Sequence, residues 1–346
     1  MQHLESIKEY YGKVLNTNDD LKTSACCSTD DVPQHIKTLI GDVHPDVLAK
    51  FYGCGVPIPA AIKDCNIVDL GSGSGRDCFL MAALAGPGGQ VTGVDMTENQ
   101  LKVANEYKAY HLDRFNLPDN AIQFKHGFIE DLKGVGIEDS SIDLVVSNCV
   151  INLSPDKQRV FSEIARVLKP GGELYFSDVF VDRRLPKHMA EDEILLGECL
   201  GGAMYIEDFR RLMFDLGFKD IRTVSQTPIT MSDPEVTKKI GQAQFSSVTF
   251  RAFNLDLEDR CEDYGQAAVY LGTIPNNENG FQLDDHHFFE PHKLMPVCGN
   301  TAAMLKDTRF QSHFQILGEG SIHYGLFGKE NDPEAAEGKL TSGSCC

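Results

Sequence analysis

Tryptophan is absent from the 346 residues, so aromatic platforms have to come from 20 phenylalanines and 10 tyrosines. Positive charge is scarce: Lys and Arg total 32 against 51 Asp and Glu, a formal charge of -19. A phosphate backbone or an anionic lipid surface is gripped by clustered Lys and Arg, so this balance argues against nucleic-acid and membrane partners. No run approaches the roughly 18 consecutive apolar residues of a spanning helix. The opening MQHLESIKEYYGKVLNTNDD is polar and amphipathic. It has no apolar signal core, and a cytoplasmic location is expected. No C-x-x-C pair occurs, so the zinc-ribbon signal is missing.

What is present is a folded-protein balance, 42% hydrophobic and 24% charged, with 11 cysteines. An odd count in a long chain without an export signal reads as reduced thiols rather than a disulfide framework. The length predicts a core domain with a smaller appendage.

The expected organisation is a helical and loop segment over 1–65, a central domain over 66–225, a strand extension over 226–255, a small domain over 256–330 and a Cys-ended tail over 331–346. NIVDL (66–70), QVTGVD (90–95), IQFK (122–125), IDLVVSN (142–148) and ELYFSDV (173–179) read as buried strands. Helical patterns separate them. Thr97 with Gln100 predicts a capping box, and Ser154-Pro155 a helix with proline at its first position. A short helix is expected near 33–39, another helix ending at Gly217, and further strands at 245–255 and 266–274. Alternation of this kind predicts an α/β fold, a doubly wound, mostly parallel sheet, with a small mixed α+β C-terminal appendage.

The loop after the first strand reads Asp69-Leu70-Gly71-Ser72-Gly73-Ser74-Gly75. Glycines there let backbone approach a ligand, at the strand ends where open α/β sheets bind. Arg76 makes the spacing differ from a dinucleotide fingerprint. Asp95 ends the second strand, where an acid can grip ribose hydroxyls. Asp69 adds negative charge, which suits a cationic or zwitterionic cofactor better than a pyrophosphate. This loop and acid resemble the class I S-adenosylmethionine methyltransferases. The resemblance implies that Gly71, Ser72 and Gly73 line the methionine portion, with Asp69, Arg76 and Asn148 at the same site. It further implies that Asp95 and Met96 flank the ribose and that Phe128 and Ile129 approach the adenine.

Four cysteines stand in unusual contexts: Cys26 in SACCS, Cys54 in YGCGVPIP, Cys149 in SNCVINL and Cys199 in GECLGGA. On spacing alone, each is better read as a small buried hydrophobe. The set LKTSAC, FYGCG, DLGSGSGRD, VTGVDMT, VVSNCVINL, GGELYFSDV and GECLGGA, with TFRAFNL and TAAMLKDTRF later, resembles the arsenite S-adenosylmethionine methyltransferases over nearly the whole chain. That resemblance implies that Cys26, Cys54, Cys149 and Cys199 are the family's functional thiols. Cys149 and Cys199 would be the principal arsenic(III) ligands, with a third from Cys54 or Cys26. Arsenite or its glutathione conjugate is the implied substrate, and glutathione or thioredoxin the implied reductant. Cys27 departs from the pattern by doubling the first thiol, and Cys345-Cys346 resembles the family's cysteine-rich end.

Soft thiolates select trivalent arsenic independently of that resemblance. Two other readings stay open: a carbon methyltransferase acting on a quinone or sterol, and a thiol-rich protein that sequesters arsenic without turnover. Cys65 and Cys78 read as core packing and Cys261 is unassigned. His286, His287, His292 and Cys298 match no standard zinc spacing.

Overall fold

The computed structural model describes residues 32–328, apart from positions 52, 54, 191, 198, 199 and 232. Strands β1 (Asn66–Leu70), β2 (Gln90–Asp95), β3 (Ile122–His126) and β4 (Ile142–Asn148) form where the apolar runs place them. β5 (Leu168–Val181) is longer than its sequence signal, because Leu168 already pairs with Ile142 before an irregularity in the register. β6 (Met204–Tyr205), β7 (Ile221–Pro228) and β8 (Phe245–Phe253) complete the sheet. Its order is β3-β2-β1-β4-β5-β8-β7, with β6 also on β5. β1 to β5 are parallel, whereas β8 runs antiparallel to both β5 and β7. The chain moves outward from β1 through β2 and β3, then returns to lay β4 on the other side of β1. That reversal opens a crevice at the carboxyl ends of β1 and β4.

β1 is buried from Ile67 to Leu70 because both faces are covered. On one face, Phe79, Leu80 and Met81 of the Arg76–Ala85 helix pack with Ile67, Val91 and Ile122. On the other, Val160, Phe161, Ile164 and Val167 of the Lys157–Val167 helix meet Phe176, Phe180, Phe209 and Phe250. The expected doubly wound α/β class is the observed one.

Two helix starts differ from expectation. The helix after β4 begins at Lys157, capped by Asp156, whose carboxylate accepts the Arg159 N–H at 3.0 Å. Pro155 therefore stands outside it, and a short 3-10 turn, Ile151–Leu153, fills the gap. Thr97 does sit at the N-cap of the Glu98–Glu106 helix, but its side chain makes no capping bond. The capping-box reading fails because Asp95 draws in the Thr97 N–H instead, at 2.7 Å. Gly217 follows the Ile206–Asp215 helix with φ +97°, as a helix stop requires. Upstream of β1, the helix expected near Pro33 runs Gln34–Gly41.

Beyond β8, Gln266–Tyr270 lies between Leu294–Val297 and Phe314–Leu317 in a small antiparallel sheet backed by the Gly299–Lys306 helix. Its strand stops at Tyr270, short of the expected 274. Tyr270, Phe281, Phe289 and Phe310 give this unit its own core. The seam with the main sheet is polar. Arg251 on β8 donates to Glu173 at 2.7 Å and Arg309 pairs with the other oxygen of the same carboxylate. Removing either partner of such a buried pair strands a charge, so these ion pairs make the seam specific. No described helix is long and apolar enough to cross a membrane.

Candidate active site

The loop after β1 is tied to the end of β2. Gly71 and Ser72 donate their N–H groups to the Val94 carbonyl at 2.8 and 3.1 Å, and Gly73 donates to Asp95 at 2.9 Å. The second Asp95 oxygen takes the Thr97 N–H, so one carboxylate holds the two loops that border the crevice. Gly71 has φ +71°, and a Cβ built there would sit 2.7 Å from Val150 Cβ. Only glycine lets this turn pass so close to the residue after Cys149.

A second network lies beneath the loop. Asn148, at the end of β4, donates to Asp77 at 2.9 Å. Arg76 pairs with the same carboxylate at 2.7 Å, donates to the Gly55 carbonyl at 2.8 Å and stacks over the Phe51 ring at 3.2 Å. Arg76 therefore does not line the crevice. It braces Asp77 and ties Phe51 and Gly55 to the glycine loop. Asp77 itself lines the cavity and was missed in the sequence, although it directly follows the GSGSGR run.

The cavity encloses about 970 Å³ including its open mouth. Of the expected cofactor residues, Asp69, Gly71, Ser72, Gly73, Asp95, Met96, Phe128, Ile129 and Asn148 all line it. Phe51, Thr97, Gln100, Glu130 and Val150 join them without having been singled out. Four carboxyl side chains (Asp69, Asp77, Asp95, Glu130) face one lysine, Lys50. Burial pushes the Asp69 carboxyl well above its ordinary range and Asp77 adds to this, while a hydrogen bond from Cys78 opposes it. Burial also raises Asp95, against the two backbone N–H groups it accepts. Such carboxylates are stabilised by a neighbouring cation. Among the described residues, two buried polar atoms have no partner, Ser72 Oγ and Gln100 Oε1, and both residues line this cavity. Orphaned polar atoms are costly unless a ligand satisfies them.

Cys149 closes the wall where β4 ends. It is buried, adopts φ +55° and donates its N–H to the Ser177 carbonyl at 2.8 Å. A left-handed backbone is uncommon for a residue with a Cβ. Here it turns the chain from β4 so that Asn148, Cys149 and Val150 all line the cavity. The Cys149 sulfur is held in a disulfide. Cys26, Cys27, Cys54, Cys199, Cys345 and Cys346 lie outside the described residues. Cys65 and Cys78 are buried free thiols within the core, as their apolar surroundings suggested.

The chain matches the family description "Methyltransferase domain" over residues 62–220 and "Arsenite methyltransferase C-terminal domain" over residues 264–337. It is 52% identical, across 99% of both chains, to an arsenite methyltransferase of Aquipseudomonas alcaligenes. It is 42% identical to the human arsenite methyltransferase over 90% of this chain and 83% of that one. A crystal structure of an arsenic(III) S-adenosylmethionine methyltransferase from Chlamydomonas reinhardtii superposes with a TM-score of 0.83 at 49% identity. That match covers 86% of this chain and 99% of the other. With these matches over nearly the whole chain, and Cys149 at the carboxyl end of β4 beside a glycine-loop crevice, the chain belongs to the arsenite methyltransferase family.

Proposed function

We propose that this protein is an enzyme that methylates trivalent arsenic held by cysteine thiolates, with S-adenosylmethionine as methyl donor. The observation that carries the reading is the position of Cys149: its wall of the crevice adjoins the loop formed by Gly71, Ser72 and Gly73. The residues fit the cofactor. Ser72 Oγ and Gln100 Oε1 await polar partners, and the excess of carboxylates suits a positively charged ligand. When bound, S-adenosylmethionine supplies an electrophilic methyl group on a sulfonium. Asp95 and Met96 serve the ribose, Phe128 and Ile129 the adenine, and Asp69, Gly71, Ser72, Gly73 and Asn148 the remainder.

Cys149 and Cys199 are the principal arsenic ligands, with Cys54 or Cys26 as a third. Three thiolates leave the arsenic lone pair on the side away from sulfur. Arsenic bound this way has no proton to remove, so the site needs no general base, unlike oxygen or nitrogen methylation. The chain's contribution is to fix distance and direction. Arsenic loses two electrons formally when its lone pair forms the new bond, and two thiols return them by closing to a disulfide. An external thiol, glutathione or thioredoxin in a cytoplasmic setting, reopens it by exchange. The arsenic arrives as arsenite or its glutathione conjugate.

The test is a turnover assay with arsenite, cofactor and thiol, read by separation of arsenic species. Methylated arsenicals are expected, and arsenite retained without methylated product would sink the reading.

A further inference from the structure

A second pair of thiols lies away from the crevice. Cys298 holds the N-cap position of the Gly299–Lys306 helix and Cys261 precedes the small C-terminal sheet. Both are buried, and the Cys261 thiol hydrogen-bonds to Cys298. Neither forms a disulfide. Arg222 on edge strand β7 reaches Cys298 Sγ at 3.8 Å, and Thr301 Oγ1 lies 3.3 Å from it. The same guanidinium is already paired with Asp220 at 2.7 Å and Asp284 at 3.0 Å. The hydrogen bond from Cys261 is the main cause that brings the Cys298 thiol down to about 5, against the effect of burial and with help from Arg222. These contacts favour the thiolate form of Cys298, beside a second sulfur.

Cys261 borders a separate groove, with Cys298 buried behind it. Cys261 lines it with Phe214, Lys219, Arg260 and His286, and it shares no lining residue with the methyl-transfer crevice. Three strands, β4, β5 and β8, stand between β7 and β1 in the sheet. Among the described residues no group of three or more His, Cys, Asp and Glu side chains could hold a metal ion. His287 is engaged by Asp284 at 2.7 Å. Two adjoining sulfurs suit a soft centre that two thiolates satisfy, rather than zinc, which takes four ligands. Deep burial also favours a small neutral reagent over a bulky disulfide.

We propose that Cys261 and Cys298 form a second thiol centre that binds trivalent arsenic as a dithiolate, distinct from the crevice where methyl transfer occurs. In binding, the Cys298 thiolate, the Cys261 thiol and one proton from solvent react with arsenous acid. Two As–S bonds form, two As–O bonds break and two waters leave. No electron is transferred. Arg222 keeps Asp220 and Asp284 as partners once the thiolate charge is gone.

The experiment uses the full chain with Cys26, Cys54, Cys149 and Cys199 all replaced by Ser, reduced and then freed of reductant under argon. Arsenite and phenylarsine oxide are the probes, retained arsenic is counted by elemental mass spectrometry, and thiols are mapped by iodoacetamide labelling. The expected result is joint protection of Cys261 and Cys298, with retention falling about tenfold or more in Cys261→Ser and in Cys298→Ser, a loss of at least about 1.4 kcal/mol in binding. The same mapping on the unsubstituted chain guards against a folding defect in the multiple variant. Labelling of Cys261 and Cys298 that arsenic leaves unchanged, retention indifferent to both substitutions, or closure of the pair to a disulfide with no arsenic held would each overturn the proposal. Because no methyl transfer is read, the outcome is independent of the function proposed for the crevice.

Discussion

Replacing Gly71 by Ala tests how the glycine loop and the Cys149 wall are coupled. Two costs follow from the geometry. An alanine held at φ +71° pays the left-handed penalty, about 1–2 kcal/mol. Its Cβ also falls 2.7 Å from Val150 Cβ, and overpacking of that kind costs about 1–3 kcal/mol. Their sum, about 2–5 kcal/mol, is an upper range, because the overlap and the torsion act on the same turn and can be relieved together. Val150 can relieve the overlap only by moving, and it is bonded to Cys149. Gly71→Ala should therefore weaken cofactor binding and disturb the thiol at once. Adding Val150→Ala takes away the two γ-methyls that the new Cβ meets but leaves the Cβ contact and the torsion, so part of the overpacking cost, about 1 kcal/mol, should return. Urea denaturation of the two single variants and the double variant gives the stabilities, and calorimetric titration with S-adenosylhomocysteine gives the affinities. The reasoning is refuted by a Gly71→Ala protein within about 0.5 kcal/mol of the parent, or by a double variant no more stable than Gly71→Ala alone.

Other perturbations reach different parts of the account. Arg76→Met leaves Asp77 buried without its cation and should cost about 3–5 kcal/mol, read as a drop in the denaturation midpoint. An unchanged midpoint would show that Arg76 is not the brace described. Gln100→Leu removes an orphaned oxygen, so the ligand-free protein should gain about 1 kcal/mol while S-adenosylhomocysteine binds more weakly; equal binding would take Gln100 out of the cofactor site. Burial raises the Asp178 carboxyl from 3.8 to about 6. The folded state thus holds that proton more tightly than the unfolded chain. Its stabilising contribution is full below pH 3.8 and is lost as pH rises through about 6. Asp178→Asn should remove about 3 kcal/mol of that slope between pH 4 and 6, whatever its cost at any single pH, and an unaltered slope would contradict the assignment.

The strands around the crevice were legible because burial on two faces leaves a short, mostly apolar run, as in NIVDL and IDLVVSN. The glycine run and Asp95 were legible because the turn and the acid sit at fixed places after their strands. What sequence could not show depends on side chains that meet across distance. Asp77 reaches Asn148 over 71 positions and Arg309 reaches Glu173 over 136, and neither pair leaves a periodic trace. The Thr97–Gln100 pattern misled for a related reason: Asp95 competed for the same N–H, and Gln100 turned into the cavity instead. Cys261 and Cys298 are 37 residues apart in sequence, so their contact also emerged only from the fold.

The most direct measurement of the central claim is X-ray absorption at the arsenic edge, on the reduced protein with arsenite and S-adenosylhomocysteine, for the parent and Cys149→Ser. Arsenic bound at the second thiol pair is removed from the comparison by working in a Cys261→Ser, Cys298→Ser background. The account predicts an all-sulfur first shell that loses one sulfur in Cys149→Ser, together with loss of methylated product and retained affinity for S-adenosylhomocysteine. An identical sulfur shell with full turnover in Cys149→Ser would contradict it.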